Sequence, residues 1–128
     1  MIELYRARIS GWGIDAYALE EVSNISRVSI RRKGEPKAGL PTIPEKENVF
    51  FIEEVTTYET GFEPAVDRLL ARIEESPELA IALEKSGYRE LAIWVTLDDE
   101  NRVPCIHFAP DQVRRLSELE IHIDVDVV

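Results

Sequence analysis

Cysteine is nearly absent: Cys105 is the only one in 128 residues, so no intrachain disulfide and no thiol-rich metal site can form. Long hydrophobic runs are missing too. Apolar residues make up 45% of the chain, yet they are broken by polar ones well before the ~20 consecutive positions that a membrane-spanning helix requires. The opening Met1-Ile2-Glu3-Leu4-Tyr5-Arg6 has no basic segment followed by an apolar stretch, so no signal peptide is expected. These deficits together favour the cytoplasm. Positive charge is scarce as well, with 15 Lys and Arg against 25 Asp and Glu and a net charge of −10. Residues 1–64 hold 8 basic and 11 acidic side chains, and residues 65–128 hold 7 and 14, so the acid is concentrated late. A field of this sign repels nucleic acid and anionic lipid, and neither is an expected partner.

What is present suits one small domain with its own core, since a chain of this length buries roughly two-thirds of its unfolded surface. Residues 2–9 read as a strand ended by Gly11 and Gly13. Asp15 is placed to cap a short helix to about Ser23, with Leu19 and Val22 inward. From Arg27 the alternation of Val28 and Ile30 with Arg27, Ser29 and Arg31 predicts a half-buried strand. Three prolines and two glycines then make 34–48 the longest irregular loop. Residues 48–55 read as the next strand. Val66, Leu69, Leu70 and Ile73 fall at i, i+3, i+4 and i+7 of a helix. Ser76-Pro77 restarts a second helical segment, in which Leu79, Ala80 and Leu83 face inward before Gly87. The run 91–97 is apolar on both faces, as in an interior strand, and 103–108 reads as another strand. A short helix follows with Val113 and Leu116 inward and Arg114 and Arg115 outward. The last strand alternates Ile121, Ile123, Val125 and Val127 with His122, Asp124 and Asp126, giving one apolar and one charged face.

The resulting order, β-α-β-β-α(α)-β-β-α-β, predicts an α+β fold: a mainly antiparallel sheet with helices packed on one face. Its first part matches the split β-α-β plan of ferredoxin-like folds, and an appended β-α-β completes it.

No catalytic motif emerges. Gly11-Trp12-Gly13 lacks a third glycine and carries a bulky Trp12 where a pyrophosphate would approach, so it reads as a turn. His122, Asp124 and Asp126 span ~13 Å of strand, too spread for one metal ion. Cys105 and His107 would lie ~6.6 Å apart along a strand with no third group to orient them, so Cys105 reads as buried and inert. The carboxylate pairs Glu53-Glu54, Glu74-Glu75 and Asp98-Asp99 are too common among 25 acidic residues to single out an acid and a base. No cofactor, metal or catalytic residue is therefore expected. Binding candidates remain. Trp12 is of the type enriched at interfaces. Arg31, Arg32 and Lys33 form a basic patch in an acidic chain, suited to a carboxylate or phosphate partner or to the chain's own acidic C-terminal strand. Asp124 and Asp126 head that strand's charged face.

The strand running into Ser10-Gly11, the segment Arg31-Arg32-Lys33-Gly34-Glu35, and the long helical region at about 62–86 also carry a resemblance. So does the closing unit from Phe108-Ala109-Pro110-Asp111-Gln112-Val113 to Leu119-Glu120-Ile121-His122-Ile123-Asp124-Val125-Asp126-Val127. In these residues the chain resembles a bacterial family of small domains, domain of unknown function 4279 (DUF4279). In the middle it departs from the family, with Phe50 or Phe51 where such domains often carry tryptophan. The resemblance implies architecture and a bacterial source, and it transfers no catalytic residue. Small acidic domains of this kind look like immunity proteins that neutralise toxins. The expected function is thus non-catalytic protein binding, with a toxin as one such partner and a homodimer possible through an unpaired edge strand. The alternative is a small enzyme or ligand-binding domain with its pocket beneath 34–48.

Overall fold

The computed structural model describes residues 5–37 and 40–127. The elements are β1 (Tyr5–Trp12), α1 (Ala16–Ser23), β2 (Ser29–Arg31), β3 (Pro36–Lys37), β4 (Leu40–Pro44), β5 (Val49–Val55), α2 (Glu63–Glu75), α3 (Pro77–Lys85), β6 (Tyr88–Val95), α4 (Pro110–Glu118) and β7 (His122–Val127). The main sheet has the order β2-β5-β1-β6-β7. β1 runs antiparallel to both β5 and β6, and β2 runs antiparallel to β5. These four strands and α1 to α3 form the ferredoxin-like core expected from the element order. α4 then carries the chain back so that β7 lies parallel to β6, as a helical crossover permits.

Local chemistry sets the helix boundaries. Asp15 accepts a hydrogen bond from the Ala18 N–H at 2.8 Å and caps α1. Ser76 ends α2 in extended backbone (ψ 104°), and its hydroxyl accepts from the Leu79 N–H to start α3, so the two segments are separate helices. The predicted core positions Leu19, Val22, Val66, Leu69, Leu70, Ile73, Leu79 and Leu83 are all buried. They pack on one side of the sheet against Ala7, Ile9, Phe50, Ile52, Leu91 and Ile93. Gly11 belongs to this side, where a Cβ would stand 2.3 Å from the Ser86 Oγ and 2.4 Å from the Phe50 ring.

Several expectations are corrected. Residues 34–48 are not wholly irregular, because β3 and β4 form a two-stranded ribbon pairing Pro36 with Pro44. Proline is tolerated there because a narrow ribbon leaves its missing N–H on an edge. Residues 103–108 form no strand. The backbone N–H of Phe62 instead bonds the Cys105 carbonyl at 3.1 Å, which ties this segment to the start of α2. Cys105 is exposed rather than buried. In α4, Val113 is 51% exposed and Gln112 takes the buried position. Periodicity misses Gln112 because its polarity hides its burial: its amide donates to the Glu63 carbonyl at 2.8 Å and to Asp67 at 2.9 Å, and it accepts from the Ala109 N–H at 3.0 Å. Arg115, expected outward, lies back on α2, with its guanidinium 2.9 Å from one Glu74 oxygen and 3.3 Å from Asp67. Gln112 and Arg115 thus pin α4 to α2.

Two substitutions test this packing. Gly11→Ala should destabilise the fold by about 1–3 kcal/mol through overpacking, seen as a lower urea midpoint with an unchanged slope. Arg115→Met should lower stability at neutral pH, and the difference from the wild type should narrow as pH falls from about 5 to about 2. The Arg115 hydrogen bond holds the Glu74 carboxyl below its ordinary range. Its contribution is therefore present above the unfolded carboxyl pKa and lost as pH drops through the folded one. Equal acid slopes in the two proteins would remove Arg115 from this role.

Candidate functional site

The alternation of β1 that sends Tyr5, Ala7 and Ile9 to the helices sends Arg6, Arg8, Ser10 and Trp12 to the opposite face. Cross-strand register extends that face. Arg8 pairs with Glu53 and Ala92, Ser10 with Phe51 and Glu90, and Trp12 with Val49 and Tyr88. Arg31 joins from β2 opposite Val49. His122, Asp124 and Asp126 join from β7 beside Glu90, Ala92 and Trp94. Among the described residues, none of the four helices packs on this side: their buried apolar side chains all belong to the core on the other.

Arg8 organises the centre of the open face. Its guanidinium lies 3.8 Å from the Phe51 ring centroid and 4.7 Å from that of Trp94, between two aromatic faces. Its Nε and Nη2 donate to one oxygen of Glu53 at 3.1 and 2.8 Å, and Arg6 donates to the other oxygen at 3.1 Å. Glu53 therefore neutralises two half-buried arginines. Toward β2, Arg31 stands 5.6 Å from the Phe51 centroid and 3.9 Å from Glu45. Trp12 closes the end of β1 half-buried, and its buried indole N–H has no hydrogen-bond partner among the described residues. Toward β7 the character changes. Tyr88 stacks on His122 with ring centroids 4.9 Å apart and donates its hydroxyl to Glu90 at 2.8 Å, a hydrogen bond that raises the tyrosine pKa. Asp124 and Asp126 are exposed and make no hydrogen bond or ion pair among the described residues.

Of the six residues singled out from the sequence, Trp12, Arg31, Asp124 and Asp126 share this face. Arg32 turns away to Glu20 of α1 at 2.8 Å, and Lys33 lies past the end of β2, its N–H bonded to the Asn48 side chain. The basic segment does not pair with the acidic strand, because β2 and β7 are opposite edges of the sheet. His107 meets Glu63 at 3.2 Å instead of forming a strand pair with Cys105. Sequence reasoning missed Arg8, Glu53 and Trp94. The signal was the charged alternation Arg6, Arg8 within an apolar strand, which is unusual for a strand with neighbours on both sides.

Among the described residues no group of three or more His, Cys, Asp or Glu side chains is placed to hold a metal ion. A groove of about 590 Å³ runs between α4 and the start of the β6–β7 pair, lined in part by Tyr88, Val113, Leu116, Ile121 and Ile123. A smaller one of about 360 Å³ lies between α3 and the end of α4. No residue of 34–48 lines either groove.

A family profile covers residues 7–128, from the middle of β1 through β7, and so takes in the whole open face except Arg6. The chain belongs to the DUF4279 family, a domain of unknown function. No curated protein and no solved structure matches the chain. The family assignment agrees with the resemblance carried by the first strand and the closing helix–strand unit.

Glu53→Ala strands Arg8 between two rings without its carboxylate. The expected cost is about 1–2 kcal/mol, between the values for exposed and buried pairs, and Glu53→Gln should recover part of it. Chemical denaturation of both variants decides the point, and an unchanged midpoint for Glu53→Ala would remove the clamp from the stability of this DUF4279 domain.

Proposed function

We propose that this DUF4279 domain is a non-catalytic protein-binding module of the immunity type, which covers a basic site on a toxin from within the bacterial cytoplasm. The observation that carries the reading is the open sheet face. At its centre Arg8 lies over a buried Phe51 and a half-buried Trp94, arginine being a residue type that anchors protein interfaces, and at one side stand two carboxylates without counter-charge among the described residues. An enzyme needs converging polar groups in a cleft, whereas this face is built from side chains already paired with one another. The net charge of −10 adds a long-range field that accelerates encounter with a cationic partner. A single exposed cysteine, together with the lack of any helix long and apolar enough to cross a membrane among the described residues, supports the cytoplasmic placement.

The test is capture of a partner from the host's lysate, followed by association kinetics. The association rate should fall at least tenfold between low and high salt, and it should fall again in D124N/D126N at low salt. For the immunity reading, expression of the captured partner alone should arrest growth and co-expression of this chain should restore it. A salt-independent rate would sink the electrostatic account. A harmless partner would leave protein binding standing and remove the toxin.

A further inference from the structure

Among the described residues β7 is the one long strand of the main sheet hydrogen-bonded on a single side, since the other edge, β2, has only three residues. No proline, no lysine and no bulge interrupts His122–Val127, so Asp124 and Asp126 are what guard this edge. Its helix-side residues Ile123, Val125 and Val127 are 45%, 42% and 48% exposed, although Leu91, Ile93 and Val95 beside them in register are fully buried. Gln112 and Arg115 hold α4 against α2, and a groove between α4 and the start of β7 reaches Ile123, leaving Val125 and Val127 exposed beyond it. The opposite side of the same strand presents His122, Asp124 and Asp126.

We propose that β7 is a docking edge that accepts an extended segment of a partner protein as a sixth strand, the segment alternating cationic and apolar side chains. Strand addition satisfies the free backbone groups of the edge. Because side chains alternate across the sheet, one set of the incoming residues falls beside Ile123, Val125 and Val127 and the other beside Asp124 and Asp126. The first set must be apolar to extend the groove, and the second must be basic to meet two carboxylates that have no counter-charge among the described residues. A second copy of this chain fits poorly. Antiparallel pairing of two β7 strands with their apolar sides aligned sets Asp124 or Asp126 against an aspartate of the copy, in chains that each carry −10. The inference rests on the protein-binding reading and names the chemistry of the bound segment.

The experiment uses the whole chain and three fluorescein-labelled eight-residue peptides: lysine alternating with valine, glutamate alternating with valine, and four lysines followed by four valines. Anisotropy should give the alternating lysine peptide a Kd at least tenfold lower than either of the others. Amide hydrogen exchange should slow across 122–127 and not in β2. D124K/D126K should reverse the preference toward the glutamate peptide, and the milder D124N/D126N should abolish it. Equal binding of the alternating and block lysine peptides, with no protection of 122–127, would overturn strand addition and leave only diffuse attraction to an acidic surface. Protection of 122–127 that rises with chain concentration alone would assign the edge to a second copy. No peptide binding, while a lysate partner is still lost on D124N/D126N, would refute the edge and keep the open face as the binding site.

Discussion

The constraint on which this structure depends is the two-sided pairing of β1. Residues 6–12 are matched in register to β5 on one side and β6 on the other, without a bulge, so the parity of one strand dictates the facing of every strand paired to it. Tyr5, Ala7 and Ile9 commit one face to the helices, and the other face must then carry Arg6, Arg8 and Trp12. A charged pair at the middle of a central strand is an unusual demand. Arg8 meets it because a guanidinium can donate to Glu53 while lying over the Phe51 and Trp94 rings, which suits its planar, delocalised charge better than an ammonium. The open face is thereby held together by its own polar network and needs no second layer.

Gly11 shows how tightly the same register couples to the helical side. Phe50 and the Ser86 hydroxyl occupy the volume a side chain would need, and Ser86 in turn donates to the Ala82 carbonyl at 2.8 Å. The end of β1, the aromatic core of β5 and the exit of α3 therefore meet at one position, and the backbone bond from Gly87 to the Trp12 carbonyl at 2.8 Å closes the junction.

Much of the fold was legible because most elements express one simple period. The 3.6-residue spacing of Val66, Leu69, Leu70 and Ile73, the Asp15 cap and the restart at Ser76-Pro77 each predicted what is found, and the apolar run 91–97 falls on the interior strand β6, which ends at Val95. The failures have a common physical cause: burial decided by tertiary partners rather than by residue type. Gln112 is inside because Glu63, Asp67 and Ala109 satisfy its amide, and Val113 is outside because α4 leans toward α2. The segment 103–108 has strand-like residues, but its backbone groups find α2 rather than a neighbouring strand. Of the site, Trp12, Arg31, Asp124 and Asp126 were visible one at a time. That they share a face depends on the strand order β2-β5-β1-β6-β7, which no local pattern encodes.

The same order separates the charges of the open face. Arg31, Arg8 and Arg6 lie on β2 and β1, where Glu45 and Glu53 already answer them, whereas Asp124 and Asp126 lie on β7, beyond which no described strand supplies a cation. Excess negative charge is thus left at the edge where backbone groups and apolar side chains are also left open. Like charge on two copies raises the cost of pairing edge to edge, while the exposed valines and isoleucine reward any segment that brings the opposite charge. In the proposed strand addition, repulsion of a second copy and attraction of a cationic segment arise from the same two carboxylates. In the proposed docking, an edge that would otherwise be an aggregation hazard selects by charge and by the alternation that sets the charge beside the two carboxylates.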